Sequence, residues 1–223
     1  MKIQEYADRD MLAIDVANVL AGELESALLH HDMVSMAVPG GTTPGPIFDV
    51  LCAANLEWDR VHVLPTDERC VPGDHERSNE RLIRERLLTN RASAAKYIPL
   101  YVPGKEPEDV LPELESLITP IRPLSVVVLG MGEDMHTASL FPGMEGLEAA
   151  LDSHARPLAV ARTEVQPEPR ITLTAPVLDG ALSKHLIILG TAKRDALERA
   201  MSLPPEEAPI AAVLGGMTVH WAE

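Results

Sequence analysis

The sequence predicts an α/β fold of Rossmann-like type, a mainly parallel sheet covered by helices on both faces. Apolar stretches of helical period alternate along the chain with short strand-like runs. Those runs are continuously apolar, as strands buried on both faces of a parallel sheet must be, rather than alternating as half-exposed strands do. Glycine or polar residues close the runs, at the carboxyl ends where open sheets of this kind bind ligands.

Each element follows in order. Residues 11–29 put Leu12, Val16, Val19, Leu20, Leu24, Ala27 and Leu28 on one stripe, an amphipathic helix. VSMAVPGG is a buried strand entering a tight loop, and PGPIFDVLCAA is a helix beginning near Pro44, where a missing N–H costs little. RVHVLPTDE reads as a strand, and SNERLIRERLL as a helix with Ser78 or Asn79 as N-cap. EDVLPELESLI is a helix despite Pro112, and LSVVVLGMG is the clearest strand. KHLIILG then TAKRDALERAM repeats strand and helix, and MTVHWA is a last strand. The 223 residues show no repeat or long linker, so one domain over 1–223 is expected.

Composition narrows the function. The net charge of −15, from 19 Lys+Arg against 34 Asp+Glu, disfavours nucleic acid and anionic lipid as partners. Few of the basic residues are lysine; a high-salt cytoplasm favours such a surface, and an ordinary acidic protein can also carry it. No apolar run reaches bilayer length, and MKIQEYADRD lacks the apolar core of a secretory signal, so a cytoplasmic protein is expected. Cys52 and Cys70 read as two reduced thiols, and no His/Cys cluster has metal-ligand spacing. Monomer and small homo-oligomer both stay open.

Four loops after strands carry the chemistry-bearing residues. In PGGTTPG, Gly40 and Gly41 let backbone N–H groups approach an anion and Thr42 and Thr43 add hydroxyls, although a plain tight turn has the same look. The loop lacks the endings of a nucleotide P-loop or a dinucleotide fingerprint. Asp67 and Arg69 could orient a sugar hydroxyl or an anion, or form a surface ion pair. In GMGEDMHTASLFPG, His136 follows a buried strand and Asp134 stands two residues earlier, a spacing that suits a general base with an orienting carboxylate; a packed histidine is the alternative. Arg170 and Lys193 sit where each could reach an anion near the sheet's end, or be surface charges. The histidines at 30, 31, 62, 75, 154, 185 and 220 form no recognisable constellation. There is no GxSxG elbow and no HExxH, so attack by a water that His136 assists is the simplest chemistry.

Taken together, GGTTP at residues 40–44, DERCVP at 67–72, SN at 78–79, DMHTASLFPG at 134–143, RITLT at 170–174 and Lys193 after LIILG resemble the 6-phosphogluconolactonases, within the group that includes glucosamine-6-phosphate deaminase. The resemblance runs from about Val38 to the end of the chain. It implies hydrolysis of 6-phosphogluconolactone, a sugar-phosphate lactone, in the oxidative pentose phosphate pathway, with no metal or organic cofactor. It implies His136 as the base that activates water, Asp134 and Asp67 around it, and Gly40, Gly41, Thr42, Arg69, Arg170 and Lys193 holding phosphate or lactone oxygens. The deaminase branch carries an acidic residue in an FNEP-like stretch where this chain has SLFPG, which favours the lactonase. Two rivals are an isomerase or deaminase using Asp67 as base, and a non-catalytic sugar-phosphate sensor. The family usually has glycine where this chain has Met135. A positive φ there would strain the backbone by roughly 1–2 kcal/mol, whereas a negative φ would change only the side chain.

Overall fold

A computed structural model describes residues 1–164 and 167–223. The chain enters on β1 (Lys2–Glu5) and continues through α1 (Arg9–Leu28), whose first turn is capped by Asp8 accepting from the Met11 N–H at 2.7 Å. Next come β2 (Val34–Val38), α2 (Gly45–Leu51), β3 (Val61–Pro65), β4 (Asp67–Arg69) and α3 (Asn79–Arg86). Ser78 caps α3 by accepting from the Arg81 N–H, as its position before the apolar run predicts. There follow β5 (Lys96–Tyr97), α4 (Pro107–Ile118, continuous through Pro112), β6 (Val126–Leu129), α5 (Leu147–Leu151) and β7 (Leu158–Ala161). The chain closes with β8 (Arg170–Leu173), α6 (Ala175–Asp179), β9 (Ser183–Leu189), α7 (Thr191–Ala200) and β10 (Thr218–Ala222).

Among the described residues, seven strands form one sheet in the order β1-β10-β9-β6-β2-β3-β5, every neighbouring pair parallel. Alternate side chains along these strands enter two apolar clusters. Met36, Val38, Val63, Val126, Val128 and Ile187 meet α1, α2 and α3 on one face. Ala37, Leu64, Val127, Leu129, Leu186 and Ile188 meet α4, α6 and α7 on the other. This is the two-sided burial that continuous apolar runs predict.

The structure corrects the expected RVHVLPTDE strand. It breaks at Thr66, whose N–H donates to the Val38 carbonyl while its own carbonyl accepts from Leu173. Beyond that break β4 belongs to a separate antiparallel sheet, β4-β8-β7, which the apolar pattern does not foretell. Exposed, four-residue β1 and two-residue β5 likewise carry no clear period. No helix among the described residues is long and apolar enough to cross a membrane.

From β2 the chain runs outward to β3 and β5; from β6 it runs the opposite way to β9 and β10. The order thus reverses between β2 and β6, and a crevice forms beyond their carboxyl ends. The loops after β2 and β6 face each other there, with the small sheet alongside.

Candidate active site

The crevice is a cleft of about 320 Å³. Gly40, Gly41, Thr42, Asp67, Arg69, His136, Arg170 and Lys193 all line it, drawn from five separate stretches of sequence. Asp134, the remaining candidate, lies outside the lining and acts on His136 instead.

The β6 loop builds the imidazole's setting. His136 Nδ1 stands 2.6 Å from Asp134 Oδ1, and its backbone N–H also points to that oxygen at 3.3 Å. The carboxylate accepts from Nδ1–H, leaving Nε2 as the ring nitrogen open to a reacting group. The hydrogen bond from His136 holds the Asp134 carboxyl below its ordinary range, against the opposing effect of burial. The His136 ring packs on Phe141 at 4.5 Å, and the Arg170 guanidinium lies 5.4 Å from the same ring, so one buried aromatic side chain steadies both.

The turn that presents the pair is tight. The Gly132 N–H donates to the His136 carbonyl and the Met135 N–H to the Gly132 carbonyl. A Cβ on residue 132 would fall 2.1 Å from Asp134 Oδ1 and 2.2 Å from His136 Nδ1, so glycine is required for the pair to close. Met135 has φ +66°, which settles the conditional expectation on the strained side. Its carbonyl accepts from the Ile210 N–H at 3.1 Å, and its side chain packs against the main apolar cluster. These contacts hold the left-handed conformation.

On the small sheet, Asp67 and Arg69 are not the surface ion pair that one reading allowed. Asp67 is 5% exposed, accepts from the Ser139 hydroxyl at 2.5 Å and faces Arg170 Nη1 at 3.7 Å. Burial pulls the Arg170 guanidinium below its usual value, and Asp67 opposes that shift. Arg69 Nη1 donates to the Arg77 carbonyl at 2.6 Å and to Asn79 Oδ1 at 2.9 Å. Lys193, at the start of α7, donates to the Met131 carbonyl.

Opposite them, Gly41 has φ +86°, a conformation that suits the tight turn after β2. A Cβ on Gly40 would fall 1.8 Å from Asn79 Oδ1, so the loop backbone nests directly under Asn79. Thr43, read from the sequence with Thr42 as a hydroxyl donor, also lines the cleft. Asn79, Gly132, Ser139 and Phe141 complete the site although sequence reasoning does not single them out as site residues. Their signal was their place inside the motifs, beside residues with more obvious chemistry. A second correction concerns His185 and His220. They do form a constellation, a buried chain with Glu23 and Tyr6.

Comparisons with known proteins place the chain as a whole. Residues 7–221 match the family model described as glucosamine-6-phosphate isomerases/6-phosphogluconolactonase. The chain is 35% identical to a Caulobacter vibrioides protein named 6-phosphogluconolactonase, covering 100% of this chain and 98% of that one. A Mesorhizobium japonicum protein of the same name is 39% identical, with 97% and 93% covered. The crystal structure of a 6-phosphogluconolactonase from Shewanella baltica superimposes with a TM-score of 0.96 at 32% identity, covering 100% of this chain and 98% of that one. The chain therefore belongs to the glucosamine-6-phosphate isomerase/6-phosphogluconolactonase family.

Proposed function

We propose that this chain hydrolyses 6-phospho-D-glucono-1,5-lactone to 6-phospho-D-gluconate, the lactonase step of the oxidative pentose phosphate pathway, acting in the cytoplasm as one domain over residues 1–223. The observation that carries the reading is the Asp134–His136 pair on a cleft whose other walls hold Arg69, Arg170, Lys193 and a glycine-rich turn. Full-length similarity to proteins named 6-phosphogluconolactonase supports it.

In this reading, Asp134 fixes the His136 tautomer with Nδ1–H, and Nε2 takes a proton from water as the water attacks the lactone carbonyl carbon. The charge that develops on the carbonyl oxygen needs donors that are already in place. Backbone N–H groups of the glycine-rich turns fill that role. The protonated imidazole then supplies the proton that the departing ring oxygen needs. The phosphate does not react. Its contacts with Gly40, Gly41, Thr42 and the cationic side chains hold the substrate so that the carbonyl carbon meets the water.

Asp67, the base that an isomerase or deaminase would use, is poorly suited to proton transfer here. It is buried, and one oxygen accepts from Ser139 and faces Arg170. The stretch after His136 also brings Leu140 and Phe141 into the core rather than a carboxylate into the cleft.

The test is a lactonase assay on freshly generated 6-phosphogluconolactone, corrected for spontaneous hydrolysis. A rate no higher than the spontaneous one overturns the proposal. Incubation with glucosamine 6-phosphate should release no ammonia.

A further inference from the structure

Strand β4 is three residues long and splits its side chains between two jobs. Asp67 and Arg69 point to the cleft, and Glu68 points the other way, as strand alternation requires. Glu68 is 1% exposed, although no lysine or arginine side chain is hydrogen-bonded to it among the described residues. A buried carboxylate is costly unless its oxygens are satisfied. Here they are satisfied by the neighbouring Arg69 N–H and by three donors from the far end of the following loop. Oε1 accepts from the N–H of Arg69 and of Asn79, each at 2.8 Å. Oε2 accepts from the Glu80 N–H at 2.7 Å and the Ser78 hydroxyl at 3.2 Å.

The three bonds from residues 78–80 tie β4 to the first turn of α3. The tie sets the cleft wall. With residues 78–80 fixed, Asn79 Nδ2 reaches the Asp67 carbonyl at 2.7 Å and Asn79 Oδ1 receives Arg69 Nη1 at 2.9 Å. Asn79 also seats on the Gly40 backbone, where no Cβ would fit. One buried carboxylate thus determines where Arg69, Asn79 and the β2 loop stand relative to one another.

We infer that Glu68 is a positioning residue for substrate binding: it touches no substrate, and it holds Arg69 and Asn79 against the Gly40 turn so that this corner accepts the phosphorylated end of a sugar lactone. The inference rests on the lactonase reading for the identity of the ligand. It makes no use of His136, which another loop carries.

The chemistry of the four contacts selects the variant. All four groups facing Glu68 are donors, so both carboxylate oxygens must accept. Glu68→Gln keeps the shape but turns an N–H₂ group towards donors. The expected result is a KM for 6-phosphogluconolactone raised about tenfold with kcat within about twofold of the parent. The KM for unphosphorylated gluconolactone should stay unchanged. Ser78→Ala, which removes the longest of the four bonds, should raise KM by a few-fold and serves if Glu68→Gln does not fold. Isothermal titration with 6-phosphogluconate reads the same corner without turnover, and Glu68→Gln should bind it about tenfold more weakly. Unchanged KM and 6-phosphogluconate affinity with only a lower melting temperature would overturn the inference, as would an equal loss of kcat on both lactones. If the parent protein hydrolyses no lactone, the function proposal fails and the titration still decides the role of Glu68.

Discussion

The protein contains two histidine–carboxylate arrangements that look alike as chemistry and differ in where the fold puts them. At the cleft, Asp134 meets His136 Nδ1 at 2.6 Å, and the carboxylate is 55% exposed. Between α1 and the sheet, Glu23 Oε2 meets His185 Nε2 at 2.7 Å, His185 Nδ1 meets His220 Nε2 at 3.0 Å, and His220 Nδ1 meets the Tyr6 hydroxyl at 2.8 Å. His185 and His220 are 2% and 0% exposed. One assignment of protons satisfies the buried chain: Tyr6 O–H donates to His220, His220 Nε2–H to His185, and His185 Nε2–H to Glu23. Every nitrogen is then used, so the buried chain joins the residue just after β1 to α1, β9 and β10 and offers nothing to a ligand. In the cleft pair, by contrast, one nitrogen remains open. Imidazole beside carboxylate is therefore no mark of catalysis by itself; the proposed base differs from the buried pair in keeping one nitrogen free at a strand's carboxyl end.

The largest effect expected from breaking this contrast is at His136. His136→Ala should lower kcat by roughly 10²–10⁴ with circular dichroism and melting temperature near the parent's. His185→Gln should do the reverse, leaving kcat nearly unchanged and lowering the melting temperature. Near-normal turnover in the first variant, or lost turnover in a folded second one, would reverse the roles of the two arrangements. Gly132→Ala tests the cleft pair without touching its chemistry. The added methyl must push Asp134 and His136 apart, and a displacement near 1 Å costs about 10²-fold in kcat.

The cleft's anion contacts should respond in binding rather than rate. Arg170→Ala is expected to raise KM for 6-phosphogluconolactone about tenfold while kcat changes less. An unchanged KM would remove Arg170 from the binding set. This variant also strips Asp67 of its facing cation, so its stability must be measured alongside.

The buried chain should announce itself in acid. Burial, then the neighbouring His185, pushes His220 down to about 4 from 6.5. Burial also acts to raise Glu23, but its hydrogen bond and attraction to His185 outweigh that and hold it below its usual value. Both shifts have the same sign for stability. Unfolded chains take a proton on His220 below pH 6.5 that the folded protein refuses down to about 4, so stability is full above pH 6.5 and falls between the two. Glu23 adds a further loss at lower pH, as it is protonated. At pH 5 the His220 contribution lost is about 2 kcal/mol. Thermal melting from pH 7.5 to 4.5 reads it, and His220→Gln should flatten the curve. A parent melting temperature independent of pH across this window would contradict the assignment.

How much of this was legible in the sequence depends on the kind of signal. Continuous apolar runs such as VVVL at β6 stand out by being buried on both faces, and the parallel sheet followed from them. The cleft residues were legible because a strand's carboxyl end is where ligands bind, so Gly40, Arg69, His136 and Lys193 could be picked from loops that follow strands. The small sheet was not, because β4 is three residues with two acids and an arginine, and its pairing with β8 is a contact across a hundred residues. The buried chain was hidden for the same reason: Tyr6 follows β1 while Glu23, His185 and His220 sit on three different elements, and no spacing connects them. Local pattern records what a segment buries; it does not record which distant polar groups it meets.

Met135 gives the smallest and most discriminating expectation. Its φ of +66° costs a non-glycine residue roughly 1–2 kcal/mol, and the side chain recovers part of that by packing on the main cluster. Met135→Gly removes the strain, but it also removes the packing and adds chain entropy to the unfolded state of about 0.5–1 kcal/mol. The two sides nearly cancel, so stability should change by less than about 1 kcal/mol. Met135→Ala keeps the strain and loses the packing, so it should be the less stable variant by about 1 kcal/mol. That order, glycine above alanine, is what chemical denaturation must show if the backbone turn behind His136 is strained; alanine at or above glycine would mean that it is not. Because the Ile210 N–H still holds the residue 135 carbonyl in both variants, kcat should move less than in Gly132→Ala.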